Sequence, residues 1–424
     1  MLKYKALRGT QDILPEEMPL WRQLEEMVER KMKFYNYREI ATPTFEHTGL
    51  FVHSTGADTE IVEKQMYTFL DKGGRSLTLR PEGTPPVVRT YIEHSLGMKK
   101  PLQKLFYIGS MYRQENPQAG RLRQFHQFGA EAIGSIAPAL DAEIIALFLD
   151  ICEDLGLKEL SLQLGSIGCP GCRSPYREKL LGFFADKDDL LCDDCKQRHQ
   201  RNPLRILDCK NPSCRRITED APSMLDYLCD DCGPHFQELK AHLDALDIHY
   251  QINRRLVRGL DYYTKTIFEV VSPQLGAQDA LGGGGRYDGL VEELGAKPTP
   301  AVGFAAGIER ILLAMEKENC PSPEPCHPKV YVASMGEEAK RLAVRLLQKL
   351  RTQMVSADTD YLDRSLKSQM RAANNLKVEY TVIIGQEELS KGKALVRNMR
   401  SSQQEEVGIE KLCDYLVEVL NQNQ

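Results

Sequence analysis

Long apolar runs are missing from this chain, and none approaches the roughly 18 residues that a membrane-crossing helix needs. Residues 1–12 are polar and contain no apolar leader core, so the sequence predicts a cytoplasmic protein without a membrane span. A positive excess is missing too. There are 55 Lys+Arg against 60 Asp+Glu, a net charge of −5, which argues against a generic nucleic-acid coat protein. A localised basic surface remains compatible with that total. Tandem repeats and low-complexity tracts are absent. With 42% hydrophobic and 27% charged residues, disorder and collagen-like structure are excluded for the chain as a whole. At about 100–200 residues per domain, 424 residues predict two to four domains, large enough to bury cores without staples.

Cysteine is the residue present in surprising number. Eight of the twelve fall in one window, as Cys169, Cys172, Cys192, Cys195, Cys209, Cys214, Cys229 and Cys232. Three of the pairs are C-x-x-C, and the fourth, Cys209 with Cys214, is looser. Repeated C-x-x-C is the ligand spacing of tetrahedral zinc, and eight thiolates make two four-cysteine structural sites. A reduced, partly degenerate cluster and a redox dithiol are the other readings; no thioredoxin-like surroundings support the latter.

Along the chain, Pro15 precedes Met18, Trp21, Leu24, Val28, Met32 and Tyr35, a helical spacing. Residues 37–45 read as a strand containing Pro43, residues 76–83 as a strand stopping at Pro81, and 86–97 as a helix. Residues 104–113 and 123–134 form a predicted long hairpin with a charged tip, followed by a helix over 141–155 and a strand over 161–168. The alternation of 248–271 predicts two antiparallel strands around a turn at Arg258-Gly259. Residues 282–285, all glycine, are expected to join a strand to a helix, and 301–317 to run from strand into amphipathic helix. Four prolines in residues 319–328 mark a linker. Beyond it strands alternate with helices, as in a small α/β domain. Residues 340–400 hold 13 Lys/Arg against 6 Asp/Glu, a local +7 that suits a polyanion-binding face or a solvated one.

Strand alternation puts Arg123, Phe125, Gln127, Gly129 and Glu131 on one face of the predicted hairpin, with Arg113, Glu115, Arg121 and His126 nearby. Cation, aromatic ring, amide and carboxylate together suit a nucleotide phosphate, a stacked base and a small polar ligand; a surface salt-bridge ladder is the plain alternative. Arg258-Gly259 brings a guanidinium next to a residue that lets backbone approach an anion. Of the neighbouring Tyr262 and Tyr263, strand geometry would aim only one into a site. Four consecutive glycines need a reason such as close backbone approach to a ligand, and without a following Gly-Lys-Ser/Thr they are not a P-loop.

Taken in order, these segments resemble the histidyl-tRNA synthetase family of class II aminoacyl-tRNA synthetases. LRGTQDILP (7–15) resembles its N-terminal signature, TPTFEHTGLF (42–51) motif 1, and LRPEGT (79–84) its histidine-binding strand. MYRQENPQAGRLRQFHQFGAE (111–131) resembles motif 2, RGLDYYT (258–264) and GGGGRYDGL (282–290) the histidine-specific motifs, and GFAAGIERI (303–311) motif 3. The chain departs from the family at Asn116 and Ala119, where cations are common, at Lys265, and in its paired cysteines. The resemblance implies an α+β catalytic core on a mostly antiparallel sheet, split as 1–168 and 248–318 around a cysteine-rich insertion at 169–247, with an α/β anticodon-binding domain at 329–424. It implies ATP with Mg²⁺, L-histidine and tRNA(His) as partners, and a homodimer. Arg113 would hold the α-phosphate, Arg121 the γ-phosphate and Arg310 the far side of the triphosphate, with adenine stacked on Phe125. Glu82, Gly83, Thr84, Gln127, Glu131, Tyr262, Tyr263 and Tyr287 would surround histidine. Arg258 would stabilise charge at the α-phosphate during attack.

Two other functions are weighed. A non-aminoacylating regulatory paralogue, of the ATP phosphoribosyltransferase regulatory-subunit type, resembles only the core and tends to lose the ligand motifs, whereas this chain keeps them and continues through a basic tail. A zinc-dependent RNA-binding module leaves every motif outside 169–232 unexplained.

Overall fold

In a computed structural model of the chain, residues 4–56, 59–118, 120–276, 279–323 and 327–422 are described. Two compact units appear, Met1–Pro323 and Glu324–Gln424.

The strands of the first unit are β1 (Arg38–Glu39), β2 (Phe45–His47), β3 (Thr68–Leu70), β4 (Ser76–Leu79), β5 (Gln103–Tyr112), β6 (Gln124–Ile133), β7 (Ser161–Ser166), β8 (Gln251–Ile252), β9 (Thr264–Val271), β10 (Ala280–Arg286) and β11 (Ala301–Gly307). Eight of them form one sheet in the order β1-β5-β6-β11-β10-β9-β7-β8, and the other three form a small sheet, β2-β4-β3. The pairs inside the large sheet are antiparallel; only the edge pairs β1/β5 and β7/β8 are parallel. The mostly antiparallel α+β core expected from the sequence is therefore what forms.

Period-two alternation gives the sheet two apolar faces. Phe106, Phe128, Ala130 and Phe304 pack with the helices Met18–Phe34 and Pro138–Asp154, which bury Trp21, Leu24, Val28 and Met32, and Ile144, Leu147, Phe148 and Ile151. Leu105, Tyr107, Tyr262, Tyr263, Ile267 and Tyr287 belong to a second cluster with Val87 and Val88 of the helix Thr84–Glu93. That second face carries the site.

Several expected elements differ. Residues 37–45 hold only the two-residue β1 before β2; Pro43 has no N–H for a ladder, and Arg80 Nη1 instead ties the Thr42 carbonyl at 3.0 Å. The region 248–271 is not a hairpin. β8 and β9 lie on opposite sides of β7, because the Asn253 carboxamide accepts from Arg255 N–H and turns the chain out of the sheet. The four glycines lie within β10 and precede only a four-residue helix, Leu290–Glu293. A Cβ on Gly283 would meet the Phe268 carbonyl at 2.5 Å and the Arg258 guanidinium at 3.0 Å, so close packing and proximity to a candidate site residue both demand glycine.

The second unit is a sheet in the order β13-β12-β14-β15-β16, built from β12 (Val330–Ser334), β13 (Ala357–Thr359), β14 (Tyr380–Ile384), β15 (Lys393–Asn398) and β16 (Gln404–Gly408). β12 pairs parallel with β13 and β14, and the remaining pairs are antiparallel. The helices Glu337–Thr352, Leu366–Asn375 and Leu412–Gln422 fit the expected α/β alternation. The short helix Gln386–Ser390 and the exposed strand β16 carry no apolar periodicity and escape the sequence reading.

Candidate active site

A cavity of about 860 Å³ opens on the second face of the large sheet. β6 points Phe125 and Gln127 toward it, while the intervening His126 turns away, its Nδ1 2.9 Å from Glu309 Oε1 and its ring 5.0 Å from that of Trp21. Glu82, Gly83, Thr84, Arg113, Arg121, Tyr262, Tyr263, Tyr287, Arg258 and Arg310 line the same cavity. Both neighbouring tyrosines contribute, contrary to the strand argument, because 262 and 263 precede β9, at the end of a turn and outside the ladder. Their rings lie 4.8 Å apart, tilted by 52°.

At the polar end, two carboxylates are held by hydroxyls. Tyr262 donates to Glu82 Oε2 at 2.7 Å, and Thr55 donates to Glu82 Oε1 at 2.9 Å. Glu131 is placed differently from expectation. It is 1% exposed and sits behind the lining, receiving bonds from Thr84 at 2.6 Å and from Tyr287 at 2.5 Å. A Cβ on Gly303 would collide with its Oε2, so β11 must be bare there. Burial pushes the Glu131 carboxyl up to about 8, the two hydroxyl bonds opposing and the Glu82 charge adding to the rise. Burial also raises Glu82, opposed by Tyr262 and by Arg113. Gln127 Oε1 is buried without a hydrogen-bond partner among the described residues, an acceptor open to a ligand.

Four arginines line the cavity. Arg113 donates through Nε to the Pro81 carbonyl at 2.9 Å and lies 5.2 Å over the Phe125 ring. Arg258 pairs with Glu269 at 2.5 Å; burial opposes its charge, but the carboxylate leaves it above the usual guanidinium range. Arg121 meets Glu115 at 3.4 Å, and Arg310 donates to the Ala280 carbonyl at 2.5 Å. Burial and the neighbouring Arg121 both depress Arg310. Of the motif-loop departures, Asn116 lies beyond this lining and Ala119 falls outside the described residues.

At the end of the glycine strand, Arg286 is fully buried. Its Nε and Nη2 grip Asp141 at 2.7–3.1 Å, its Nη1 reaches Asp288 and the Ser135 carbonyl at 3.0 Å each, and Nη2 also reaches the Ala137 carbonyl at 3.2 Å. This knot fixes the neighbouring Tyr287.

The cysteines sort into two tetrads, Cys169, Cys172, Cys229, Cys232 and Cys192, Cys195, Cys209, Cys214, with the sulfurs of each within 4.8 Å of one another. Cys169 Sγ lies 3.6 Å from Cys172 Sγ and 3.9 Å from Cys229 Sγ, and Cys192 Sγ lies 3.8 Å from Cys209 Sγ. A tetrahedron with metal–sulfur bonds of about 2.3 Å has edges of about 3.8 Å. Cys192 N–H donates to Cys214 Sγ and Cys229 N–H to Cys172 Sγ, each at 3.2 Å.

The family model for histidyl-tRNA synthetase matches residues 9–311, and the model for an anticodon binding domain matches residues 329–419. The chain belongs to the histidyl-tRNA synthetase family. Relatives named histidine–tRNA ligase include one from Halothermothrix orenii, 52% identical over 97% of this chain and 98% of its own, and one from Desulforamulus reducens, 50% identical over 96% and 98%. A crystal structure of apo S. aureus histidyl-tRNA synthetase is similar with a TM-score of 0.82 at 40% identity, covering 98% of this chain and all of that one.

Sequence reasoning missed Thr55, Glu269 and the insertion residues Arg205, Asp208, Lys210 and Arg215, which also line or frame the cavity. Glu269 alone carried a signal, as the single charge in the otherwise apolar run IFEVV.

Proposed function

We propose that the chain ligates L-histidine to tRNA(His) through a histidyl-adenylate, releasing diphosphate and AMP. The observation that carries this is the meeting, in one cavity, of a hydroxyl-and-carboxylate pocket at Glu82, Thr84, Tyr262 and Tyr287 with Arg113 and Arg258. Neutral imidazole has one donor and one acceptor, which polar groups on two sides can satisfy while rejecting apolar isosteres. Gln127, Gly83 and Tyr263 complete that pocket, and Glu131 acts through Thr84 and Tyr287. Adenine stacks on the face of Phe125 away from Arg113. Arg113 holds the α-phosphate, while Arg121 and Arg310 take the outer phosphates. Mg²⁺ arrives with ATP and neutralises phosphate charge.

The histidine carboxylate oxygen attacks the α-phosphorus in line, and diphosphate leaves with the bonding electrons. Arg258 faces the charge that develops there, and its tie to Glu269 presets its position. No side chain acts as nucleophile; positioning and charge suffice. A tRNA ribose hydroxyl then attacks the acyl carbon and AMP departs.

In the second unit, Arg341, Arg345 and Lys349 stand exposed one turn apart along the helix Glu337–Thr352, a basic stripe suited to the anticodon stem-loop. Phe45, Phe69 and Leu70 are 53%, 44% and 69% exposed on the small sheet, which fits burial in a homodimer. Both cysteine tetrads hold structural zinc in this reading, four thiolates leaving no open coordination position for catalysis. No described helix is long and apolar enough to cross a membrane, and the proposed site of action is the cytoplasm with the tRNA. The regulatory-paralogue reading is not favoured, since the ligase-named relatives match 97% and 96% of the chain. Charging of a tRNA(His) transcript with labelled histidine tests the proposal; a purified chain that charges none contradicts it.

A further inference from the structure

The two tetrads do different jobs in the fold. Cys169 and Cys172 lie where the insertion leaves β7, and Cys229 and Cys232 where it returns through the helix Cys232–Ala245, so the first tetrad closes the neck. The second tetrad is internal, tying the head of the helix Asp193–Arg201 to Cys209 and Cys214. Asp208, Cys209, Lys210 and Arg215 line the same cavity as Arg113 and Arg258. The stretch leading into these residues is anchored to the catalytic body: Arg205 Nη2 donates to the Gly259 carbonyl at 2.9 Å, Arg198 pairs with Glu60 at 2.5 Å and Arg201 with Glu63 at 2.8 Å.

Apolar burial alone is a weak support for this wall. The insertion's cluster has eleven buried residues, and four of them are the cysteines Cys172, Cys195, Cys214 and Cys232. A core that small needs a staple. Lys210 and Arg215, each adjacent to a cysteine of the second tetrad, form no ion pair within 4.0 Å among the described residues, although both border the cavity.

We propose that metal bound by Cys192, Cys195, Cys209 and Cys214 fixes residues 208–215, which run into the helix Pro212–Thr218, as a wall of the activation site, where Lys210 and Arg215 contact the phosphates of the nucleotide. The proposal rests on the nucleotide and zinc readings above, and it adds two cations that no sequence motif marks. The first tetrad has no such part; it holds the insertion closed at its base.

Three preparations test it by elemental analysis, hydrogen exchange and steady-state ATP–pyrophosphate exchange: the wild-type chain, a Lys210→Gln/Arg215→Gln variant and a Cys209→Ser/Cys214→Ser variant. The wild type is expected to hold two zinc ions. The charge variant keeps both ions, while its KM for ATP rises about tenfold or more, the scale of losing a bond to a charged group, and its KM for histidine stays within about twofold. The cysteine variant holds one ion, exchanges amide protons faster over 205–215 and shows the same ATP-selective rise. An unchanged KM for ATP in the charge variant overturns the phosphate role, as does an equal rise for both substrates or an effect confined to transfer onto tRNA. A wild-type chain without zinc overturns the metal part alone, and the charge variant then still decides the role of the cations. If the cysteine variant fails to fold, the charge variant and the wild-type metal content carry the test.

Discussion

Replacing Glu131 by Gln should make the enzyme more stable and less active at once. The carboxyl is buried behind Thr84 and Tyr287, and burial lifts it from the usual 4.5 to about 8. A group whose folded-state value is raised favours the folded state while protonated. Its contribution is complete below about 4.5 and is lost as pH rises toward and through 8. At about 1.4 kcal/mol per pH unit, between pH 5 and 8 the wild type should lose on the order of 3–4 kcal/mol from this residue. Gln keeps the shape and an acceptor but cannot ionise, so the variant lacks that slope. Thermal melts of both proteins at half-unit pH steps measure the difference. The expected result is curves that coincide near pH 5 and separate steadily toward pH 8, the variant melting higher. Function should run the other way. The amide nitrogen cannot accept, so one of the two hydroxyls of Thr84 and Tyr287 loses its acceptor, and KM for histidine should rise about tenfold or more while KM for ATP changes little. Parallel melting curves across that pH range would refute the raised carboxyl, and an unchanged KM for histidine would refute its link to the pocket.

Arg258→Ala is expected to lower the pyrophosphate-exchange rate about 100-fold or more with only a small change in KM for ATP, since it acts on charge developed during attack; an unchanged rate removes the assigned role. Asp141→Ala takes from the buried Arg286 guanidinium the carboxylate that grips its Nε and Nη2, leaving Asp288 on Nη1 alone, so a loss of about 3 kcal/mol is expected in denaturant unfolding of the first unit, and a loss under about 1 kcal/mol would show the knot to be dispensable. A chain ending at residue 327 should keep much of its pyrophosphate exchange and lose most of its charging of tRNA; equal losses count against an anticodon role for the second unit.

Much of the candidate site could be read from contiguous residues. Arg113, Phe125 and Gln127 share a cavity because β5 and β6 are regular enough for two-residue alternation to place them. The same rule also put Glu131 on that face, but only the structure shows that Thr84 and Tyr287 stand in front of it. Alternation misled at 248–263, where aromatic and aliphatic residues looked like a strand although the Asn253 turn breaks the ladder. It misled at 262–263 for the same reason, since residues in a turn are not bound to opposite faces. Cysteine spacing gave two sets of four, whereas their grouping joins residues as far apart as Cys169 and Cys232 and is fixed by the fold of the insertion. Thr55, Glu269 and Lys210 reach the site by tertiary placement, which no local period encodes.

Amino-acid-dependent exchange of labelled pyrophosphate into ATP tests the central claim most directly, because it isolates activation from everything the tRNA does. Across the twenty amino acids, histidine alone should support rapid exchange, and Arg258→Ala should slow it about 100-fold or more. No exchange with histidine, or equal exchange with an isostere lacking the imidazole nitrogens, would contradict the assignment of this pocket.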